Sequence, residues 1–288
     1  MKIEETLKTV GQPMEEVHAA MANVPAKPWS KESIVIRALL LILALTTGYA
    51  LSIVDYRSVD VIQAMVDTVA NFKIIFLQPG SSHLSFSKAL YEVVITLGLA
   101  FLSTLFGAVI ALFLGLLAAQ NLAPKKVTNI VKAFVALIRA IPTILWVLIF
   151  AVAAGLGSVA AVIGMSLHSI SYLTKAYSES FEELDRSVIE ALRASGANWW
   201  QIVFQAVIPS SSTYLLSWTF MRFEMNFANA VAMGAAAGAA GIGFDLYMAS
   251  GYYFDLHGVG LITYIILAFA MILETVATTM KSRIKGKH

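Results

Sequence analysis

Residues 190–209 read EALRASGANWWQIVFQAVIP, and they carry more information about this chain than any other stretch. Gly196 stands where a glycine commonly ends a helix. Asn198 follows in the position of a helix N-cap, with Gln201 three residues later in capping-box spacing. The pattern therefore predicts a helix, a glycine bend and a second short helix that stops at Pro209.

The first helix of this pair extends upstream, since residues 182–195 are rich in helix formers. Glu182 and Arg186 are spaced i,i+4, in the order that favours an ion pair on a helix surface. Trp199 and Trp200 fall in the first turn of the second helix. An amphipathic pair of this kind could also lie in the membrane interface, with its aromatic rings among the lipid headgroups.

The composition of the whole chain indicates a membrane protein. Of its 288 residues, 58% are hydrophobic and 13% charged, and the mean hydropathy is +0.76. Ordinary soluble domains are about 45–50% apolar and about 25% charged. The net charge of +2 is too small to indicate nucleic-acid binding. Because the sequence has no cysteine, disulfide scaffolds, thiolate metal sites and cysteine nucleophiles are excluded.

Six apolar stretches are predicted to cross the membrane, since a spanning helix needs about 20 apolar residues. They comprise residues 34–54, 90–119, 130–156, 159–173, 214–237 and 259–280. Pro142 is expected to kink or start the third helix. A rival interpretation of the first stretch is a cleaved signal peptide, with small residues at Gly48 and Ala50. The tail before it is over thirty residues long and carries five glutamates, which argues against that interpretation.

Lysines and arginines in the short connections predict the topology. They are concentrated in the N-terminal tail, the second and fourth connections and the C-terminus, which predicts that both termini are cytoplasmic. The predicted organisation is a cytoplasmic tail (1–33), a first transmembrane helix (34–54), an extracytoplasmic loop (55–89), a transmembrane domain (90–280) that contains the paired element at 178–209, and a basic cytoplasmic C-terminus (281–288).

The paired element resembles the cytoplasmic EAA signature of bacterial ABC-importer permeases, in which Glu-Ala-Ala is followed after three residues by Gly and after nine more by Ile-x-Leu-Pro. The chain departs from it at Leu192, Ala206 and Ile208, all apolar replacements. In that family the signature forms a coupling helix that docks in a cleft of a separate ATPase. The resemblance implies this coupling role for Glu190, Ala191, Gly196, Trp199, Trp200 and Pro209.

Two further segments are similar to the same family. Residues 139–143 (RAIPT) look like its Arg-x-Ile-Pro segment, and residues 238–243 (GAAGIG) look like its Gly-x-x-Gly-Ile-Gly segment. Arg222-Phe223-Glu224 followed by Asn226 is similar to the phosphonate-type permeases. The resemblance implies an all-α polytopic membrane protein with the type I ABC-importer permease fold and a cytoplasmic coupling helix, in the bacterial inner membrane.

The resemblance also implies the partners: a second copy of this permease, two cytoplasmic ABC ATPases and an external solute-binding protein. The chain has no Gly-x-x-x-x-Gly-Lys-Ser/Thr phosphate loop. We therefore expect a transport subunit rather than an enzyme, with no cofactor in this chain and with ATP and Mg bound by the partner ATPase.

Three polar residues of the fifth span share one helix face, because Arg222, Asn226 and Asn229 are spaced i, i+4, i+7. Our hypothesis is that they line the pathway, and that the forked donors of Arg222 attract a tetrahedral oxyanion. Glu224 lies about 200° away around the helix. The alternative is structural: Arg222 pairs with Glu274, or with Glu224 across a dimer.

Glycines after the fifth span have two interpretations. The spacing of Gly234 and Gly238 allows close helix packing, whereas Gly238, Gly241 and Gly243 could break the helix and form an outer gate. His168 is expected to be a polar residue satisfied inside the bundle, because it lacks the spacing of a metal site.

The predicted function is the translocation pathway for phosphonate or a related phosphorus oxyanion. An amino-acid permease of the methionine type is the alternative within the same class. A secondary transporter driven by an ion gradient is a rival from another class, although such proteins often contain an internal repeat and none is found here. A membrane-embedded enzyme has little support, since the spans show no pairing of nucleophile and base.

Overall fold

The computed structural model describes residues 31–53, 60–80 and 83–285, with side chains described up to residue 279. All regular elements in these ranges are helical. They are α1 (Lys31–Ile53), α2 (Val61–Leu77), α3 (Phe86–Ala118), α4 (Lys125–Ala140), α5 (Thr143–Ala154), α6 (Ser158–Glu182), α7 (Arg186–Ala194), α8 (Trp199–Ile202), α9 (Ile208–Ala237), α10 (Ile242–Tyr247) and α11 (Leu256–Lys285), with π-helical turns at Val203–Val207 and Met248–Tyr252. The predicted all-α class is confirmed.

The chain divides into two compact units, residues 1–65 and residues 66–288. In the first unit, α1 is 23 residues long and apolar, and nearly all of its side chains are exposed. A helix of this length fits the predicted first span. The predicted tail lies almost wholly outside the described residues.

Helix α2 occupies a segment that was predicted as a loop, residues 55–89. It begins after Asp60, whose carboxylate accepts hydrogen bonds from the N–H groups of Ile62 (3.0 Å) and Gln63 (3.1 Å). Asp67 and Lys73 interrupt the apolar residues of this helix, so its sequence lacks the long charge-free run that predicts a span.

Helix α6 forms the centre of the second unit, where it packs against α3, α4, α5 and α9. Glycines of α3 allow the close approach of α3 and α6. A Cβ at Gly107 would collide with Ser169, and one at Gly115 would lie 3.0 Å from the Cβ of Tyr177. Small residues are what permits tight helix packing in a membrane, where the hydrophobic effect adds little between helices.

The third predicted span, residues 130–156, is not one helix. It consists of α4 and α5, which meet at an angle of 87°. The break falls at Ile141 and Pro142, as expected for a proline that has no N–H to donate. The indole N–H of Trp146 donates to the carbonyl of Ile138 (3.0 Å), so that a hydrogen bond joins the two helices across the break.

The number of spans differs from the predicted six. Three described helices are long and apolar enough to cross a membrane, namely α1, α3 and α11, and five segments qualify if each of two bent helix pairs counts as one span. The fourth predicted span, residues 159–173, lies within α6. This helix carries His168 and several serines, most of them buried against neighbouring helices, whereas its Lys175 is exposed. Helix α11 continues to Lys285, so part of the predicted C-terminal segment is helical.

The glycine bend and the capping box are confirmed. The N–H of Ala197 donates to Leu192 O (3.0 Å), and the N–H of Gly196 donates to Arg193 O (3.0 Å). These two bonds define a Schellman motif, and the φ of +85° at Gly196 is the left-handed conformation that the motif requires. Asn198 and Gln201 form the reciprocal capping box at the start of α8.

Two predictions about this element are wrong. Glu182 and Arg186 do not lie on one helix, because α6 ends at Glu182 and Asp185 caps a new helix, α7. The N–H of Ser187 donates to the Asp185 carboxylate (2.9 Å), and this bond lowers the pKa of that carboxyl group. Glu182 instead forms an ion pair with Lys132, at 3.1 Å.

The second helix does not stop at Pro209. It continues through the π-helical turn 203–207 into α9, with Pro209 in the first turn of α9. A proline ring clashes with the carbonyl four residues earlier in an α-helix, and the wider π turn before Pro209 relieves this constraint.

Candidate functional site

Arg222 is fully buried at the junction of α6 and α9. Its Nε donates to the hydroxyl of Ser169 (3.0 Å), and its NH2 group lies 3.1 Å from His168 Nδ1. Because a guanidinium can only donate, Nδ1 of His168 is the acceptor and this ring is neutral. The guanidinium carbon also lies 5.4 Å from the centre of the Tyr172 ring.

Asn226 joins the same network from one turn further along α9. Its side-chain amide donates to Thr104 Oγ1 and to Ser169 Oγ, both at 2.8 Å. Ser169 is thus the centre of the network, since its hydroxyl accepts from both Arg222 and Asn226 and donates to the carbonyl of Met165 (2.8 Å).

Two atoms of this network have no hydrogen-bond partner, namely NH1 of Arg222 and Oδ1 of Asn226. Among the described residues, Arg222 forms no ion pair with a carboxylate. A buried charge is costly unless it is paired, and a buried donor left unbonded adds to the cost. The arrangement is therefore a preformed cation with one guanidinium nitrogen free to donate, which suits an anion.

Glu224 and Glu274 lie elsewhere. Both line a separate cavity of about 460 Å³, together with Trp218 and Met221. The predicted alternative in which Arg222 pairs with Glu274 is wrong within the chain. Pairing across a dimer stays a prediction.

The predicted site residues are thus partly brought together. Arg222 and Asn226 share the network, whereas Asn229 is half-buried and no hydrogen bond of its side chain joins it to them. His168 is satisfied inside the bundle, as expected. Sequence reasoning missed Ser169 and Thr104, although a hydroxyl residue inside a predicted apolar span is a signal that could have identified them.

The glycines of the predicted gate do break the helix. Gly238 ends α9 with a φ of +63°, and Gly241 precedes α10 with a φ of +109°. A Cβ at Gly243 would collide with the carbonyl of Val231, so α10 packs directly on the backbone of α9. The two segments are bent by 50°. Close packing and helix breaking therefore both hold, and the role of this segment as an outer gate stays a prediction.

The predicted coupling residues form a largely exposed surface. Glu190, Ala191, Gly196 and Pro209 are exposed. The two tryptophans at the start of α8 have different surroundings. The indole N–H of Trp199 donates to Leu122 O (3.0 Å), whereas the side chain of Trp200 is 53% exposed.

The Trp200 ring stacks on the exposed ring of Phe204, with the two ring centres 5.9 Å apart. Phe204 was not predicted to belong to this surface. The signal was present in its spacing, four residues after Trp200.

Comparisons with known proteins agree with this architecture. Residues 111–284 match the family of binding-protein-dependent transport system inner membrane components. The phosphite transport system permease protein PtxC of Stutzerimonas stutzeri is 30% identical over 191 residues, covering 66% of this chain and 69% of that protein. The phosphate-import permease protein PhnE of Mycolicibacterium smegmatis is 28% identical over 66% of this chain, and the match spans 35% of that relative's length.

A solved structure of the MetNI methionine ABC transporter, in inward facing conformations, has a similar fold. The TM-score is 0.60 and the sequence identity 23%, with 71% of this chain and 99% of that chain covered.

Proposed function

Because this chain belongs to the family of binding-protein-dependent transport system inner membrane components, we propose that it forms the membrane pathway of an ABC importer for phosphonate or a related phosphorus oxyanion. The observation that carries the substrate class is the buried guanidinium of Arg222, which has no carboxylate partner and one unbonded nitrogen. The phosphite and phosphate permeases among its relatives support the same class.

The geometry around Arg222 favours an arginine over a lysine. Ser169 and His168 hold the Nε and NH2 groups of the guanidinium, and because the guanidinium is planar these two contacts also fix the direction of NH1. A lysine ammonium has no second nitrogen that could be oriented in this way. A phosphonate oxygen that accepts from NH1 would form a charge-assisted hydrogen bond in a water-poor environment. The free carbonyl oxygen of Asn226 would accept a hydrogen bond from a protonated oxygen of the same ligand.

The partners and the membrane arrangement are part of the proposal. Two copies of this chain enclose the pathway, two cytoplasmic ATPases bind ATP and Mg, and an external solute-binding protein delivers the anion. The chain itself hydrolyses no ATP and needs no cofactor. Both termini lie in the cytoplasm of a bacterial cell whose inner membrane holds the protein.

Coupling proceeds through the exposed surface around α7 and α8. Closure of the ATPases moves Glu190, Ala191, Gly196, Trp199, Trp200 and Pro209 as one element. Helix α9 carries this movement to Arg222, Asn226 and Asn229, which line the pathway once the movement has uncovered the buried Arg222 and Asn226. The segment with Gly238, Gly241 and Gly243 acts as the outer gate.

Substitution of Arg222 by lysine tests the substrate class. We expect cells that lack the chain to recover uptake of methylphosphonate when the natural chain is supplied. In the Arg222→Lys variant the KM for uptake should rise about 10- to 150-fold, which corresponds to the loss of one charge-assisted hydrogen bond. The control is Lys126→Arg, a conservative exchange at an exposed position of α4.

Two outcomes would contradict the proposal. Uptake by the Arg222→Lys variant at unchanged rate and KM would refute recognition by the forked guanidinium. Methionine uptake that depends on the chain, while methylphosphonate and phosphite uptake do not, would assign the importer to amino acids and retain its architecture.

A further inference from the structure

A second cavity of about 240 Å³ lies between α4 and α6, where the end of α3 approaches them. Its volume is several times the roughly 30 Å³ that one water molecule occupies in the liquid. Seven of the ten residues that line it are charged or polar. The residues that matter are Lys132, Arg139, Thr174, Lys175, Glu179 and Glu182.

The two carboxylates of this cavity are already neutralised. Glu182 accepts from Lys132 Nζ (3.1 Å) and from the backbone N–H of Gln120 (2.9 Å). Glu179 lies 3.6 Å from Lys175 Nζ, one helical turn away on α6.

Arg139 is the remaining charge. It forms no ion pair with any acidic residue in the described parts of the chain, so three cations face two carboxylates and the lining carries one net positive charge. Lysine and arginine side chains held in one concave site attract anions, and the planar fork of Arg139 matches two oxygens of a phosphate or phosphonate group.

Thr174 provides an independent indication of a ligand. Its side chain is 1% exposed, and its hydroxyl has no hydrogen-bond partner. Other hydroxyls of α6 bond back to the preceding turn, as Ser169 does to Met165 O (2.8 Å) and Ser180 to Ala176 O (3.0 Å). A buried hydroxyl without a partner is costly, and Thr174 lines a cavity with room for a group that would bond to it.

We propose that this cavity binds a phosphorus oxyanion at a site separate from Arg222, with Arg139 and Thr174 as its main ligands. Lys132 and Lys175 lie at its wall and add longer-range attraction. Thr174 and His168 are six residues apart on α6, about 9 Å along the helix axis, so the cavity lies next to the Arg222 network without sharing its ligands. The oxyanion is either a free phosphate or phosphonate or the phosphate of an anionic lipid headgroup.

Binding of inorganic phosphate and methylphosphonate to the purified full-length chain tests the proposal. Isothermal titration in lipid-free detergent should show a site whose affinity falls about tenfold or more in Arg139→Gln, and also falls in Thr174→Val. Arg139 is exposed and the Thr174→Val exchange preserves shape, so both variants should fold. Lys126→Gln is the matched control, because it removes an exposed cation from the same helix outside the cavity.

The Arg222→Gln variant separates this proposal from the previous one. It should keep the site that depends on Arg139, whatever its effect on uptake. Native mass spectrometry of the chain with phosphatidylglycerol distinguishes the sources: retention of this lipid by the natural chain, but not by Arg139→Gln, assigns the cavity to a headgroup. The proposal is overturned if the natural chain binds neither phosphate, methylphosphonate nor phosphatidylglycerol, or if binding is the same in Arg139→Gln, Thr174→Val and the control.

Discussion

Gly196 is the position at which a small substitution should separate folding of the chain from transport. Its φ is +85°, and a Cβ built on it would have no atom within 4 Å. A side chain there therefore has space, and the only cost is the left-handed backbone conformation. For alanine this cost is about 1–2 kcal/mol, which lowers the population of the bent geometry by a factor of about 5–30.

The identity of the new side chain should set the size of the effect. Asparagine adopts the left-handed conformation more readily than other residues, and β-branched valine adopts it least. We expect transport activity to fall in the order Gly196, Gly196→Asn, Gly196→Ala, Gly196→Val. Gly98→Ala serves as the control, because that glycine also has open space around it but lies in the helical region inside α3.

Methylphosphonate uptake, measured in cells at matched membrane levels of each variant, is the assay. The Gly196→Val variant should reach the membrane, since its penalty is confined to one bend, and should transport least. Uptake by Gly196→Val equal to that of the natural chain would show that the bend does not couple. An Asn variant as impaired as the Val variant would show that the presence of a side chain, rather than the backbone conformation, decides the outcome.

Two further predictions concern packing around the network and the gate. Gly164→Ala should destabilise the chain by about 1–3 kcal/mol relative to Gly98→Ala, because the new Cβ would lie 2.6 Å from the backbone nitrogen of Val147. Thermal unfolding followed by tryptophan fluorescence checks this, and equal unfolding midpoints of the two variants would contradict it. Thr96→Val should lower the free energy of unfolding by about 1–3 kcal/mol in the same assay, because the buried N–H of Ile242 loses the hydroxyl acceptor that lies 2.9 Å away. Thr96→Ser keeps that hydroxyl and should retain most of the stability, so equal losses in both variants would refute the hydrogen-bond explanation.

Local patterns predicted the glycine bend and the helix cap of the paired element, but not where its helices begin and end. The Schellman bend at Gly196 and the capping box of Asn198 and Gln201 depend on residues within five positions of one another. Their geometry can therefore be predicted from the local sequence. The helical face shared by Arg222 and Asn226 was predictable for the same reason.

Distant partners were beyond such reasoning. Ser169 lies 53 residues from Arg222, and Thr104 lies 122 residues from Asn226. Their meeting depends on how α3, α6 and α9 pack, which no short spacing encodes. The loss of the expected pair between Glu182 and Arg186 has a related cause, because tertiary contacts at the end of α6 outweighed a weak i,i+4 interaction.

Helix breakers were recognised, but their consequences were not. Pro142 was expected to kink or start a helix, yet the direction and size of the 87° bend depend on what α5 packs against, including Gly164. Pro209 was read as a stop signal, and the π turn before it shows that a proline can be accommodated by widening the helix.

The continuous helical run from Trp199 through the π turn to Ala237 joins the exposed surface at Trp200 to the buried Arg222. At 1.5 Å per residue, about 35 Å of helix separates Trp199 from Arg222. With Ala237 as pivot, Arg222 lies about 22 Å and Trp199 about 57 Å from the fixed end, so a tilt of about 5° that moves Trp199 by about 5 Å displaces Arg222 by about 2 Å. A shift of this size is enough to break a hydrogen bond of 3 Å, so a modest push on the tryptophan end would detach Arg222 from Ser169 and His168 without any unfolding of the helix.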